Sequence, residues 1–329
     1  MDPSIPSRLL NALSSHTGPV NAITFSSLGG TYVLTGSSDR QIHLSRTEPA
    51  HSKKPSGPIQ KYAAHGYPVL DIAVTRDNQQ FASVGGDRSV FLWDVQNAEG
   101  TSRRFGSNTD KGHTSRVTCV AFAGVDDTVL VSGSDDRTVK LWDCKSKDAK
   151  PIMVLDEAKD NVSSLAVPDN GYEVLSGSVD GRVRSYDIRM GRVTQDVMAA
   201  AVTSLLVSRD AKTMLVGSLD GKIRLIDRAD GSCLSSFPEQ GHDAGYKNDS
   251  LRLKSCFALN ESIVLSGSES DGKVRAWDVV SGRSVGSVDQ NTAGKVVSAV
   301  SWREASRAEG RQGVFAAGGA AGTVSIYGT

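Results

Sequence analysis

One unit of sequence recurs seven times along the 329-residue chain, and this repeat limits the possible folds more than any other feature. Its most regular copy is VSGSDDRTVKLWD, at residues 131–143. This copy has an apolar stretch, a tight turn rich in Gly, Ser and Asp, and an alternating stretch that ends at Trp-Asp. The pattern predicts two β-strands joined by a turn. The other copies cover residues 33–46, 81–94, 174–187, 214–227, 264–278 and 315–328.

The spacing of the repeat predicts the architecture. Asp occupies the turn in six copies, at positions 39, 87, 136, 180, 220 and 271, and Ala321 stands in the seventh. Steps of 40 to 51 residues are near the roughly 40–45 residues of a four-stranded propeller blade. A short apolar stretch before each copy supplies a further strand. The sequence predicts an all-β, seven-bladed β-propeller that forms one domain over 1–329, with blades that begin near 16, 65, 113, 157, 197, 242 and 295.

The two ends of the sequence predict how the ring closes. The seventh unit ends with its third strand at Ile326 and Tyr327. A blade of three strands would leave an exposed edge and an open ring. Residues 8–13 (RLLNAL) are short and apolar enough to form the missing fourth strand. We therefore expect an N-terminal strand at about 8–13 to complete the last blade.

Composition narrows the classes of function. Lys plus Arg and Asp plus Glu both number 37, so the formal net charge is zero, which disfavours general affinity for nucleic acid. The four cysteines, at 119, 144, 233 and 256, lack the close spacing of a zinc or redox site. The longest nearly apolar tract, residues 197–207, is about half as long as a membrane span. We expect a monomer with no metal, no cofactor, no membrane association and no direct nucleic-acid binding.

Polar residues recur in register with the repeat. A His precedes the first strand at His16, His65 and His113 and, behind an insertion, at His242; Ser, Asp and Trp-Asp follow at fixed positions. In this register the chain resembles WD-repeat proteins. The resemblance implies a buried relay of hydrogen bonds from an indole through a hydroxyl and an imidazole to the turn carboxylate. The residues of the two complete relays are His65, Ser83, Asp87 and Trp93, and His113, Ser132, Asp136 and Trp142.

The same residue types also make up a Ser-His-Asp catalytic triad. A nucleophilic Ser needs an exposed oxygen and a nearby oxyanion hole, whereas a buried polar network needs only that each group has a partner. The set recurs in two blades, which favours a structural role. We therefore predict a protein that is not an enzyme, since function depends on a built site and not on residue types alone.

The resemblance also predicts where partners bind. WD-repeat proteins most often hold them on the narrow face of the ring, around the mouth of the channel. We expect Val179, Leu219 and Val296, with Ala201 and Ala320, to form an apolar arc there, and such a patch with a polar rim is typical of a protein-binding site. The candidate binding residues on this face are Leu70, Arg116, Asp135, Val179, Leu219, Arg252, Lys254 and Val296.

One short motif predicts a different role. Tyr186-Asp187-Ile188-Arg189 matches the aromatic-Asp-x-Arg pattern of WD-repeat substrate receptors in cullin-type ubiquitin ligases. In those receptors the Arg gives the adaptor a charged, bidentate contact. Arg189 is therefore a candidate adaptor contact, although the same residue would also suit a solvated turn.

Several tracts are unusual for a generic blade: HGYPVLDIA (65–73), SVGGDRSVFLWDV (83–95), LDEAKDNVSSL (155–165) and GSVDGRVRSYDIRMG (177–191). In these the chain resembles the mitogen-activated protein kinase organizer family, also called WD repeat-containing protein 83. The resemblance implies a non-catalytic scaffold that assembles kinase-cascade components in the cytoplasm and accompanies the spliceosome in pre-mRNA splicing in the nucleus. A G-protein β-subunit-like role needs an N-terminal coiled-coil helix, which the roughly fifteen residues before blade one do not provide.

Overall fold

The computed structural model describes residues 5–27, 29–48, 57–97, 99–107, 111–238, 245–290, 296–304 and 313–328. Over these ranges the chain forms seven four-stranded antiparallel sheets. The innermost strands of successive sheets contact one another in order and close a ring. This arrangement confirms the predicted seven-bladed β-propeller. The blade boundaries expected near 242 and 295, and His242 itself, lie outside the described residues.

The first half of the chain forms strand β1, which belongs to blade seven, and three complete blades. Strand β1 spans Arg8–Leu13. Blade one comprises β2 (Val20–Phe25), β3 (Tyr32–Ser37), β4 (Ile42–Arg46) and β5 (Gln60–Tyr62). Blade two comprises β6 (Val69–Val74), β7 (Gln80–Gly85), β8 (Val90–Asp94) and β9 (Arg103–Phe105). Blade three comprises β10 (Val117–Ala123), β11 (Val129–Ser134), β12 (Val139–Asp143) and β13 (Met153–Leu155), with a short 3-10 helix at Val125–Asp127.

The second half contains the remaining four blades. Blade four comprises β14 (Val162–Ala166), β15 (Glu173–Ser178), β16 (Arg182–Asp187) and β17 (Arg192–Val197). Blade five comprises β18 (Val202–Val207), β19 (Thr213–Ser218), β20 (Lys222–Asp227) and β21 (Cys233–Phe237). Blade six comprises β22 (Ser255–Ala258), β23 (Ile263–Gly267), β24 (Lys273–Asp278) and β25 (Ser284–Asp289). Blade seven comprises β26 (Val297–Arg303), β27 (Val314–Gly319), β28 (Val324–Gly328) and the leading strand β1.

Blade seven joins the two ends of the described chain. Strand β1 pairs antiparallel with β28, from Arg8 opposite Gly328 to Leu13 opposite Val324. Leu13 is buried in the core that blades seven and one share, and Leu10 packs against the same core. The amide of Asn11 donates a hydrogen bond to the backbone oxygen of Arg46 in blade one, at 3.3 Å. The fourth strand of the last blade therefore comes from the N-terminal side of the sequence.

The core lies between neighbouring blades, which stack face to face. Between blades two and three, for example, Val84 and Val90 pack with Val117 and Val120, beside the fully buried Trp142. The stacking leaves no room at Gly133, where an added Cβ would lie 2.6 Å from a methyl group of Val162 in the next blade. The alternating apolar residues of the repeat therefore serve mainly to join one blade to the next.

The two ends of the ring differ, and the binding surface must be placed on one of them. At one end, in blades one to five, the turn residue before the Asp donates a backbone hydrogen bond to the residue before the inner strand, as Val179 does to Asn161 and Leu219 to Ala201, both at 2.9 Å. We call this end the narrow face and the opposite end the wide face. In the described part of the chain, no helix is long and apolar enough to cross a bilayer.

Candidate functional site

Two relays of buried hydrogen bonds support the narrow face. In blade two, Trp93 Nε1 donates to Ser83 Oγ (2.7 Å), Ser83 Oγ lies 2.7 Å from His65 Nε2, and His65 Nδ1 lies 2.5 Å from Asp87. The corresponding distances in blade three are each 2.8 Å, for Trp142, Ser132, His113 and Asp136. The structure thus brings together all eight residues of the two predicted relays.

The hydrogen bonds of each relay are satisfied when its imidazole is neutral. With its proton on Nδ1, His113 donates to Asp136 and accepts from Ser132, which in turn accepts from the indole. Burial lowers the pKa of His113 despite the neighbouring carboxylate. Burial alone would raise the pKa of Asp136, but the hydrogen bonds from His113, Thr138 and Thr114 hold it well below its usual range.

The relay serines cannot act as nucleophiles in this arrangement. Ser83 and Ser132 have no solvent-exposed surface, and Trp indole groups cover their hydroxyls. A substrate carbonyl therefore has no path to either oxygen. These residues hold each blade's turn against its inner layer, which keeps the narrow face in one shape.

Blade one has a relay of different composition. His16 lies 2.9 Å from Asp39 and 2.8 Å from Thr35, which replaces the Ser. The imidazole of His43 stacks on that of His16 at 3.9 Å and takes the place that Phe91 has beside His65 in blade two. His43 contacts Ser15 Oγ at 2.8 Å. Burial and the neighbouring His16 lower the pKa of His43 to about 4.

In three blades an arginine takes the place of the histidine as the partner of the turn Asp, a feature that our sequence analysis missed. Arg184 donates to Asp180 in blade four at 2.6 Å, and Arg224–Asp220 and Arg275–Asp271 form the same ion pair in blades five and six. The Arg follows the turn Asp by four residues each time, in DGRVR, DGKIR and DGKVR. This spacing was a signal available in the sequence, because both side chains point to the same side of the hairpin.

Blade six contains a further substitution that the sequence did not reveal. Tyr246 lies edge-on to Trp277, with ring centroids 5.2 Å apart, and its hydroxyl lies 3.3 Å from Ser266 Oγ. Ser266 has the position of the relay serine, so Tyr246 occupies the space where blades two and three have a histidine. The indole Nε1 of Trp277 makes no hydrogen bond to any residue that the structure describes.

A circle of hydrogen bonds joins the inner strands of successive blades around the channel. Four of them run from the second residue of one inner strand to the carbonyl of the first residue of the next. These are Asn21 to Val69, Thr118 to Val162, Ser163 to Val202 and Ser298 to Val20, at 2.5 to 3.0 Å. The other three contacts between neighbouring blades, which we also call seams, are Asp71 with Val120 N (3.2 Å), Ser204 with Ser255 (2.8 Å) and Lys254 N with the Ser298 carbonyl (2.9 Å).

The apolar residues expected on the narrow face differ in exposure. Val179 is 39% exposed and Ala320 is exposed, whereas Leu219, Val296, Leu70 and Ala201 are partly buried. Two more exposed apolar side chains on this face were not among the candidates. Tyr67, which follows the relay His65, is 59% exposed, and Leu251, which precedes the inner strand of blade six, is 44% exposed. Both occupy loop positions outside the repeat's register, so periodicity could not indicate them.

The charged candidates on the narrow face have partners within the protein. Arg116 forms an ion pair with Asp135 in the adjacent turn. Lys254 extends from blade six to an ion pair with Asp71 of blade two, and Arg252 donates to the backbone oxygen of Thr118 in blade three at 2.5 Å. Blades two and three lie across the ring from blade six, so Arg252 and Lys254 bridge the channel at its narrow end instead of projecting from the rim.

Below these bridges the channel widens into a cavity of about 440 Å³. Residues of all seven blades line it, and at the wide end it reaches Arg209, Glu261 and Glu304. Arg209 and Glu304 form an ion pair at 2.9 Å, and Glu261 accepts a hydrogen bond from the backbone of Arg209 at 2.8 Å. Each carboxylate at this end thus has an internal partner.

Arg189, the candidate adaptor contact, lies on the wide face. It follows β16 and is exposed, and its guanidinium stacks on the ring of Tyr172 with 3.9 Å to the ring centroid. The Asp187 carboxylate accepts hydrogen bonds from the backbone N–H groups of Arg189 and Met190. The cation and the narrow-face residues therefore lie at opposite ends of the ring.

The titratable residues do not form a catalytic or metal centre in the part of the chain that the structure describes. Burial raises the pKa of the Cys119 and Cys144 thiols to about 11 and that of Cys256 to about 12, so these groups remain protonated and unreactive near neutral pH. Within the same ranges, no cluster of three or more His, Cys, Asp or Glu residues is arranged to bind a metal ion.

Comparisons with known proteins agree with this geometry. The family model described as "WD domain, G-beta repeat" matches residues 7–44, 56–94, 107–143, 149–187 and 195–227. WD repeat domain-containing protein 83 of Rattus norvegicus is 40% identical over 280 residues, which cover 85% of this chain and 82% of the rat protein. The chain belongs to the WD repeat domain-containing protein 83 family. Among its relatives, the human protein is 39% identical over the same coverage, and the Dictyostelium discoideum homolog is 30% identical over 82% of this chain and 85% of its own length.

Family membership gives the broad function of the ring. WD-repeat propellers are typically non-catalytic scaffolds that bind other proteins, and this chain has their fold. The buried relays, the inter-blade hydrogen bonds and the bridged channel all hold the narrow face rigid. They provide a fixed platform for such binding.

Proposed function

We propose that the ring assembles multiprotein complexes by binding partner proteins on its narrow face. The observation that carries the proposal is the set of exposed apolar side chains there, Tyr67, Val179 and Leu251, on loops that buried relays and ion pairs hold in place. Exposed apolar groups on a rigid frame favour binding because little conformational entropy is lost when a partner covers them.

The partners that we propose are components of a kinase cascade and of the spliceosome. The support for this choice is membership of the WD repeat domain-containing protein 83 family together with the tracts HGYPVLDIA and LDEAKDNVSSL. We accordingly expect the protein in both the cytoplasm and the nucleus. A scaffold of this kind needs no catalytic residue, because its effect is to raise the local concentration of proteins that bind it together.

The test is a paired replacement on the narrow face. Each apolar side chain buried on binding contributes about 1.5–3 kcal/mol, so Tyr67→Ser with Val179→Asp should weaken the main interactions by about 100-fold or more. Stability should change little, because both side chains lie outside the core. Leu219 is less suitable for replacement than Tyr67, since it is partly buried. The measurement is quantitative mass spectrometry of proteins that co-purify with the tagged ring, together with its thermal melting.

The matched control is Val280→Asp. Val280 is 91% exposed in the loop after β24, on the wide face, so its replacement adds a similar charge away from the proposed site. Co-purifying kinases and splicing factors should remain with this variant and disappear with the paired replacement. If both variants retain the same partners, the narrow face is not the binding surface.

The second candidate is a substrate receptor of a cullin-type ubiquitin ligase, which depends on Arg189. The observation in its favour is that Tyr172 holds the exposed guanidinium in a fixed position on the wide face. Arg189→Ala should remove a cullin adaptor if this role is correct, and should leave the partners unchanged if the scaffold role is correct. Loss of an adaptor with Arg189→Ala, combined with retention of all partners by the narrow-face variant, would favour the ligase role.

A further inference from the structure

No carboxylate of the described residues pairs with the guanidinium of Arg252, although this group lies within the mouth of the channel. Its Nη1 donates to the backbone oxygen of Thr118 at 2.5 Å. Its Nε is buried and has no hydrogen-bond partner, and no carboxylate of the described residues pairs with it. A partly buried cation whose only partner is a neutral oxygen is costly, and an anion would satisfy it.

Three described carboxylates of the narrow face are engaged with other groups. Asp71 pairs with Lys254 and accepts the backbone N–H of Val120. Glu269 accepts the backbone N–H groups of Ser250 and Leu251, at 3.1 and 2.6 Å. Asp249 pairs with Lys247. Among the residues that the structure describes, no carboxylate therefore neutralises the charge of Arg252.

The surroundings of Arg252 favour an acceptor that enters from the narrow face. Leu251, its neighbour in sequence, is 44% exposed at the rim, and Arg252 itself is only partly buried. An apolar rim beside a partly exposed guanidinium matches the end of an acidic side chain, with an apolar stem and two acceptor oxygens.

We propose that the mouth of the channel binds a single carboxylate, an Asp or Glu side chain of the partner protein, and that Arg252 is its main ligand. The inference rests on the proposed narrow-face function and defines the chemistry that a partner must bring to it. The planar fork of a guanidinium can contact both oxygens of a carboxylate in parallel, which a lysine in the same place could not do. Lys254, in its ion pair with Asp71, fixes the opposite side of the mouth.

A random-peptide display library selected against the wild-type ring tests the proposal. Binding of the selected peptides is then measured for the wild type, Arg252→Met and Arg252→Lys. Arg252→Met retains the apolar stem, and Arg252→Lys retains the charge without the fork. The control is Arg116→Met, since Arg116 is a narrow-face cation that Asp135 already neutralises.

We expect the selected peptides to share one acidic residue. Its replacement by the corresponding amide, or Arg252→Met, should weaken binding by about tenfold or more, because a charge-assisted hydrogen bond contributes about 1.5–3 kcal/mol. The two changes together should weaken binding little more than either alone. Arg252→Lys should bind at an intermediate level, and Arg116→Met should bind like the wild type. Thermal melting of every variant excludes unfolding as the cause of a loss.

The failures of this inference and of the proposed function are distinguishable. Peptides that depend on Tyr67 and Val179 but not on Arg252 would refute the carboxylate site and leave the narrow-face function intact. Peptides that depend on neither set, or a library that yields no binder, would contradict both. If inorganic phosphate alone raises the melting temperature of the wild type but not of Arg252→Met, the site is a pocket for small anions and the proposal is wrong.

Discussion

Asp136→Ala is the sharpest test of the idea that the relays hold the narrow face in shape. The carboxylate of Asp136 accepts four hydrogen bonds: from His113 Nδ1 (2.8 Å), Thr114 N (2.9 Å), Thr138 N (3.0 Å) and Thr138 Oγ1 (2.6 Å). An alanine removes all four acceptor positions but leaves the backbone unchanged. The two groups that depend most on Asp136 are therefore the imidazole of His113 and the turn that ends at Thr138.

The size of the effect follows from which donors water can reach. His113 is 6% exposed, so its Nδ1–H would be left buried without an acceptor, at a cost of about 1–3 kcal/mol. The Thr114 and Thr138 donors lie nearer the surface, and each would exchange a charge-assisted bond for one to water, at a further cost of about 0.5–1 kcal/mol. Together these losses predict that the free energy of unfolding falls by about 3 kcal/mol.

Chemical denaturation near neutral pH measures this difference, and Asp135→Ala is the matched control. Asp135 is the adjacent turn residue, and its ion pair with the exposed Arg116 should contribute less than about 1 kcal/mol. If Asp136→Ala unfolds at the same denaturant concentration as Asp135→Ala, the relay contributes no net stability and the reasoning is wrong. Neither variant should abolish a specific chemical activity.

Two further predictions concern blade one and the closure of the ring. The pKa of His43 is about 4 in the folded protein and near 6.5 in the unfolded chain, so the folded state loses stability as the pH falls from 6.5 towards 4. His43→Phe, which copies Phe91 of blade two, should reduce the stability lost between pH 7 and pH 5 by about 2 kcal/mol. An unchanged pH dependence in denaturation curves would contradict this prediction. Deletion of residues 1–14 removes β1 and exposes the edge of β28, so aggregation or a large fall in melting temperature should follow. A soluble and equally stable truncation would show that the ring does not depend on β1.

The fold could be predicted from the sequence because the repeat is a property of local residues. The tight turn, the alternation of apolar residues and the spacing of the turn Asp all operate within about fifty residues, and the period fixes the number of blades. The relays could be located for the same reason. His65 and Asp87 lie 22 residues apart, within one repeat, so one register indicates both.

The candidate site was harder to predict because its contacts cross the ring. Lys254 pairs with Asp71 at a separation of 183 residues, and Arg252 contacts Thr118 at 134. No pattern within one repeat contains these pairs, so the sequence could indicate both cations only as candidate binding residues of the narrow face. Tyr67 and Leu251 were missed for a related reason, since they lie in loops where the register of the strands does not define the direction of a side chain.

The departures of blade six from the repeat explain why the cations of the channel come from this blade. Just before its inner strand, Lys254 stands at the position where five other blades have Asn, Thr or Ser, and a lysine side chain is too long for the short bond that four of these make to the neighbouring carbonyl. The Lys254 backbone N–H supplies the bond to blade seven instead, which frees the side chain to cross the channel to Asp71. Asp71 has two roles. Blade two has the apolar Leu70 as the second residue of its inner strand, so Asp71 joins blade two to blade three through Val120 N in addition to pairing with Lys254. The same replacements that interrupt the regular circle of bonds therefore place the Lys254–Asp71 ion pair across the mouth, beside Arg252. The irregular contacts at blades two and six thus give the mouth charged groups that the four regular contacts do not supply.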